Sequence, residues 1–374
     1  MRFKVKGARL AMLLVPALAL AAPAFAQVRD TRLSDSQEPG SVIVFPKFVQ
    51  GTVALPEGGS ASRTELEIGV VCPKGVICPE HEPVKIRFHW VCGTNEADLF
   101  GSFTCRETDF DVTATVWEKI VLVPNGSFDA VSTKTVPPAP CPAGYLIGWV
   151  ISPANDQPIK FDGLVGDGVI RQTGAAIASY SAIPIQADPA LANTAAVATN
   201  GNGALFFDGA PGHYQAVTGQ VIGDVRYTNS TPPNINDSVL TLLTLDVKSN
   251  RPNNPVFVDL DFFGGNPSTI GNENQVSTFT EFICWEEVAI ESLDSNLTTT
   301  FMGRKGVFVS AQAQKLGIFG IPDNTGPTTL LGLSEVREGS PEAPTRSYFS
   351  NLFNSSRFVS THFLPAPSPN FLGP

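Results

Sequence analysis

Apolar and polar positions along this chain mostly alternate with the two-residue period of a strand, and stretches of helical period are hard to find. The clearest alternating runs are SVIVFPKFV (41–49), TELEIGVVC (64–72), VKIRFHWVC (84–92), GYLIGWVIS (144–152), VLTLLTLDV (239–247) and PVFVDLDFF (255–263). Each is rich in β-branched and aromatic residues, which suit a pleated, half-buried surface. The 33 glycines and 31 prolines supply turns between short strands. The pattern predicts an all-β protein of antiparallel β-sandwich type. One short helix is expected at Asp188-Pro189, a capping residue followed by proline at the first helical position.

An internal echo sharpens the expectation. TVWEKIVL (115–122) aligns with ICWEEVAI (283–290) on Trp117 and Trp285, and each follows a strand with a bulky aromatic end, IRFHW and VDLDFF. A weaker echo links FDGLVGDGVIR (161–171) with FDGAPGHYQAVTGQVIGDVR (207–226). Together they predict two tandem immunoglobulin-like sandwiches. The first is expected over 38–186 and the second over 204–345, joined by a linker of small and polar residues at 187–203. A C-terminal segment, 346–374, closes on the proline-rich tail PAPSPNFLGP.

The first 26 residues read as a secretory signal peptide: a basic start, the apolar LAMLLVPALALAA, and a small-residue cleavage site at Ala24-Phe25-Ala26. That apolar run is too short for a membrane span, and no later segment reaches spanning length without charge. The mature chain is therefore expected in the periplasm or outside the cell. Of 25 basic residues the leader removes Arg2, Lys4, Lys6 and Arg9, leaving 21 against 35 acidic, a net of −14. That charge argues against nucleic-acid partners and anionic lipid surfaces.

Six cysteines, Cys72, Cys78, Cys92, Cys105, Cys141 and Cys284, make an even count in an exported chain and are expected as disulfides. Local pairing suggests Cys72–Cys78 and Cys92–Cys105, with Cys141–Cys284 by elimination. A zinc site in CPKGVICPEHEPVKIRFHWVC (72–92) is disfavoured, because the spacings miss the usual finger patterns and His89 falls on the opposite strand face from Cys92. Asp259 and Asp261 are the only metal candidates, for calcium, but no Asp-rich loop accompanies them. Glu65 and Glu67 alternate outward, as do Lys85 and Arg87, and neighbouring strands would set these charges face to face.

Chemistry is scarce. Glu286 and Glu287 are adjacent in a strand and diverge, so they do not form the facing carboxyl pair of a glycosidase. There is no Gly-x-Ser-x-Gly elbow, His-Glu-x-x-His, phosphate-binding glycine loop or haem motif, and only four histidines. No enzyme activity and no cofactor are expected. The leading expectation is an exported structural or adhesive surface protein, whose partner is a second copy of itself or a surface polysaccharide. The alternative is a carbohydrate-binding or polysaccharide-hydrolysing secreted protein. It would stack sugars on aromatics that alternation turns outward: Trp117, Trp285, Phe257 and Phe263.

Overall fold

All six alternating runs fold as strands in the computed structural model, and every strand pairing described is antiparallel. The structure describes residues 37–354 except 56–57, 80, 95–104, 130–133, 172–176, 202, 218, 226–234, 246–255, 264–274, 290–306, 315–328, 341–342 and 352. The expected leader and proline-rich tail lie outside these residues. Among the described residues there is no helix. At Asp188-Pro189 the chain makes a single turn, with Leu191 N donating to Asp188 O at 3.0 Å. The Asp188 carboxylate does accept the Ala190 amide at 2.9 Å, but it also accepts Gly212 N at 2.7 Å. The cap is present; it ties down a loop and starts no helix.

The strands of the first set are β1 (Val42–Val49), β2 (Thr52–Ala54), β3 (Ser60–Ser62), β4 (Thr64–Val70), β5 (Pro83–Thr94), β6 (Cys105–Thr115), β7 (Lys119–Leu122), β8 (Ser127–Asp129), β9 (Lys134–Val136), β10 (Ala143–Ile151), β11 (Leu164–Arg171), β12 (Ile177–Ser181) and β13 (Ile183–Ile185). A second set follows: β14 (Gln220–Val225), β15 (Ile235–Thr244), β16 (Val256–Phe263), β17 (Gln275–Ile283), β18 (Trp285–Ala289), β19 (Val307–Gln314), β20 (Leu330–Ser340), β21 (Ala343–Asn351) and β22 (Phe353–Asn354). The first set forms sheets of order β13-β1-β10-β5-β6 and β12-β11-β4-β7. The second forms β17-β16-β19-β14-β22 and β18-β15-β20-β21. Small hairpins β2-β3 and β8-β9 stand apart.

These orders coincide. Matched along the chain, β1 corresponds to β14, β4 to β15, β5 to β16, β6 to β17 and β7 to β18. The series continues with β10 and β19, β11 and β20, β12 and β21, and β13 and β22. Under that match both sheets of the second set reproduce those of the first.

Between the first two sheets lies a core of inward side chains. Ile43 and Phe45 of β1, Ile86, Phe88 and Trp90 of β5, and Leu66 and Ile68 of β4 are all fully buried there. Burial of each is worth about 1.5–3 kcal/mol. Trp90 keeps its indole N–H satisfied by donating to Pro137 O at 3.0 Å. β1 and β10 are buried on both faces. Their outer residues (Val44, Tyr145, Ile147 and Trp149 among them) join a second cluster with Val197, Leu205, Phe207 and Tyr214. The stretch 187–203, read from the sequence as a linker, thus contributes Ala187 and Val197 to the packing on the outer face of the first five-stranded sheet.

Pro46 interrupts β1, since it has no amide to donate, and the β1–β10 register shifts between Phe45 and Phe48. The irregularity turns Pro46 and Lys47 toward the second strand set. Trp285 Nε1 donates to Pro46 O at 2.9 Å, and buried Lys47 pairs with Glu335 at 2.7 Å and with Glu287. Tyr145 adds a hydrogen bond from its hydroxyl to Thr244 O at 3.2 Å.

The six cysteines form three disulfides, Cys72–Cys78, Cys92–Cys141 and Cys105–Cys284, the pattern of an oxidising compartment. The first matches local pairing; the other two correct it. Cys141 packs against the inner core and Cys105 against the outer cluster, so Cys92 and Cys105 belong to opposite sides of the sheet. The expected charge pairing is also corrected. β4 and β5 lie in different sheets, so Glu65 pairs with Arg171 at 3.0 Å and Glu67 with Lys119 at 3.1 Å. Arg87 and Lys85 instead meet Asp111 of β6, at 2.9 and 3.0 Å.

Candidate functional site

The aromatic candidates part company in the structure. Trp285 is buried, with its indole N–H bonded to Pro46, and it belongs to the junction between the two strand sets. Alternation does carry it out of its own sheet, but into a second packed layer and away from solvent. Trp117 is 70% exposed. Phe257, Phe263, Asp259 and Asp261 fall in β16, where side chains lie outside the described residues; register sets Asp259 opposite Thr280 and Asp261 opposite Ser277.

Trp117 is not in a strand. Thr115 ends β6, Lys119 opens β7, and Glu118 N donates back to Thr115 O at 3.0 Å, closing a four-residue turn. Trp117 sits at its third position with φ +73°. That is the type II place where glycine ordinarily stands, and a bulky side chain there costs on the order of 1–3 kcal/mol. The surroundings over-determine the conformation. Trp117 N donates to Val70 O at 2.6 Å, and Val70 N donates to Glu118 O at 3.0 Å. The Glu118 carboxylate accepts the Thr115 amide at 2.6 Å and the Thr115 hydroxyl at 3.0 Å. Glu118 is therefore a structural brace, committed to loop donors.

The braced indole overhangs a groove of about 490 Å³ on the outer face of the β12-β11-β4-β7 sheet. Its floor is Gly69 of β4 beside Val165 of β11; its polar rim carries Glu67, Asp167, Lys119 and Ser181. A Cβ at Gly69 would stand 3.0 Å from Val165 Cγ2, so the missing side chain keeps the floor low. Glu67 lies opposite Asp167 across the β4–β11 pairing, and Ser181 lies opposite Asp167 across β11–β12. An exposed aromatic platform thus borders a row of acceptors and one ammonium, Lys119, itself paired to Glu67.

The chain matches no known family model and no characterised protein. Its function is read from the site itself.

Sequence reasoning selected Trp117 for its exposure but placed it in a strand. Its turn was legible only through the Thr-x-x-Glu spacing of Thr115 and Glu118. The groove draws on residues from five strands, and only their pairing order brings Asp167 to Glu67.

Proposed function

We propose that this protein is an exported, non-catalytic adhesive protein, built of two tandem immunoglobulin-like sandwiches, that holds a polysaccharide surface through the Trp117 groove. The observation that carries this reading is Trp117 itself: a large apolar ring kept in solvent by a braced, strained turn. Strain of this kind persists where something other than stability keeps the residue. A pyranose ring offers an apolar C–H face to an indole and hydroxyls to acceptors, and the groove supplies both kinds of partner. The acidic rim favours neutral or amine-bearing sugars over uronic ones. Export is supported by the leader-like first 26 residues and by the three disulfides. The tandem reading is supported by the repeated strand order.

The test is calorimetric titration of the oxidised mature chain with neutral, amino and acidic polysaccharides, alongside Trp117→Ala and Trp117→Gly. Binding of a neutral or amino polymer is expected, weakened tenfold or more in both variants. Urea unfolding should show the glycine variant at least as stable as the parent, because glycine relieves the positive φ. Equal binding by parent and variants, or no binding to any polymer, would refute the reading.

A further inference from the structure

The outer face of β5 and β6 carries a charged ladder separate from the Trp117 groove. Lys85, Arg87 and His89 project from β5; Asp111, Asp109 and Glu107 project from β6, with His89 directly opposite Asp109. Lys85 and Arg87 use Asp111 and Asp156. The remaining three residues form their own cluster. His89 is wholly buried beside the Trp149 ring, centroid to centroid 4.5 Å, and neither of its ring nitrogens makes a hydrogen bond. Its Nδ1 lies 3.1 Å from an Asp109 carboxylate oxygen and 3.7 Å from a Glu107 oxygen.

A buried imidazole without hydrogen bonds is costly, on the order of 1–3 kcal/mol for each unsatisfied group. Two carboxylates converge on one nitrogen of that ring and make a three-donor set with it. From the geometry we infer that His89 Nδ1, Glu107 and Asp109 form a binding site for one divalent transition-metal cation, with zinc as the representative ion. Donors held 2.0–2.2 Å from a common ion at tetrahedral or octahedral angles stand about 3.0–3.5 Å apart, close to the spacings found here. All three donor atoms lie within 4.8 Å of one another. One imidazole and two carboxylates suit a first-row ion better than calcium, which requires six to eight oxygens. Three protein ligands leave a fourth position for water, and the Asp109 side chain, 41% exposed, gives solvent an approach. Burial holds the Asp109 carboxyl above its ordinary range, with His89 opposing and Glu107 adding to the rise. Bound metal would cancel that repulsion and lock β5 to β6 beside the Cys105–Cys284 bridge.

The experiment uses tag-free, chelator-treated mature protein, titrated with zinc by calorimetry, with melting followed in parallel. One equivalent of zinc is expected to bind and raise the melting temperature. Asp109→Asn, a change at the exposed ligand that leaves the fold intact, should weaken that binding tenfold or more. An Asp259→Asn/Asp261→Asn double variant should leave it unchanged. Undiminished binding by Asp109→Asn, loss in the Asp259/Asp261 variant instead, or no saturable binding at all would overturn the assignment.

Discussion

At the scale of single residues, burial and partners decide what the sequence leaves open. Trp117 and Trp285 align in the internal echo, yet one is a solvent-facing platform and the other a packed joint. The difference lies in what covers each face, which no local pattern encodes. Asp111 gives a titration that can be predicted with its sign. Burial pushes its carboxyl up, but hydrogen bonds from Arg87 and Lys85 and their charges more than offset this, holding it below the usual value. A carboxyl lowered on folding contributes stability that is whole above its unfolded pKa, about 3.9, and is lost as pH falls through the lower folded value. Asp111→Asn should therefore unfold more readily than the parent at pH 6, with the gap closing below about pH 4. Urea midpoints measured from pH 6 to pH 2.5 decide it. A gap that stays constant over that range would mean the Arg87 and Lys85 bonds carry no ionic stabilisation.

Elements were the most legible level, and their neighbours the least. The six alternating runs fold as strands because period-two patterning needs only one buried face to be satisfied. The exceptions in that logic are β1 and β10, apolar on both sides because a second layer covers them. Sequence gave no sign that β4 and β5 part into different sheets, so Glu65 and Glu67 were set against the wrong cations. The stronger echo falls on β7 and β18, which occupy matching places in the two strand orders. The weaker one falls on β11 and β14, which do not. The candidate site was half legible: Trp117 could be chosen for its chemistry, whereas Asp167 and Gly69 enter the groove only through the β4–β11 register. Cysteine pairing failed for the same reason, since sheet side is a property of the assembled element. The corrected bridges predict graded losses. In the chain-entropy picture, closing the 179-residue separation of Cys105–Cys284 is worth about 5 kcal/mol and the 6-residue separation of Cys72–Cys78 about 2 kcal/mol. Paired alanine replacement of each bridge, followed by denaturant unfolding, should reproduce that order. Equal losses would place the stabilisation in native-state contacts around the sulfurs.

Across the whole molecule, several long-range ties between the two strand sets meet, among the described residues, at the break in β1. Lys47 sits almost fully buried between Glu335, itself inaccessible to solvent, and Glu287, while the adjacent Pro46 carbonyl receives Trp285. Tyr180 adds a hydrogen bond to the Lys47 carbonyl. An ion cluster of this kind is a weak source of net stability, because desolvating three charges consumes most of what their attraction returns. Its stronger effect is on geometry: an apolar face slides at little cost, whereas a buried ammonium fits only where its carboxylates are. On the proposed adhesive reading, such a fixed joint would pass load from one strand set to the other without hinge motion. The consequence is testable with two variants. Lys47→Ala removes the buried ammonium from between Glu335 and Glu287 and should cost about 3–5 kcal/mol of stability. Replacing all three charges together, Lys47→Met with Glu287→Leu and Glu335→Leu, should recover most of that loss. The recovered protein should nevertheless show a broader distribution of orientations between the two strand sets in solution scattering. If the apolar triple variant instead kept the parent's scattering profile while regaining stability, register would be fixed by Trp285, Tyr145 and the Cys105–Cys284 bridge, and the ion cluster would have no orienting role.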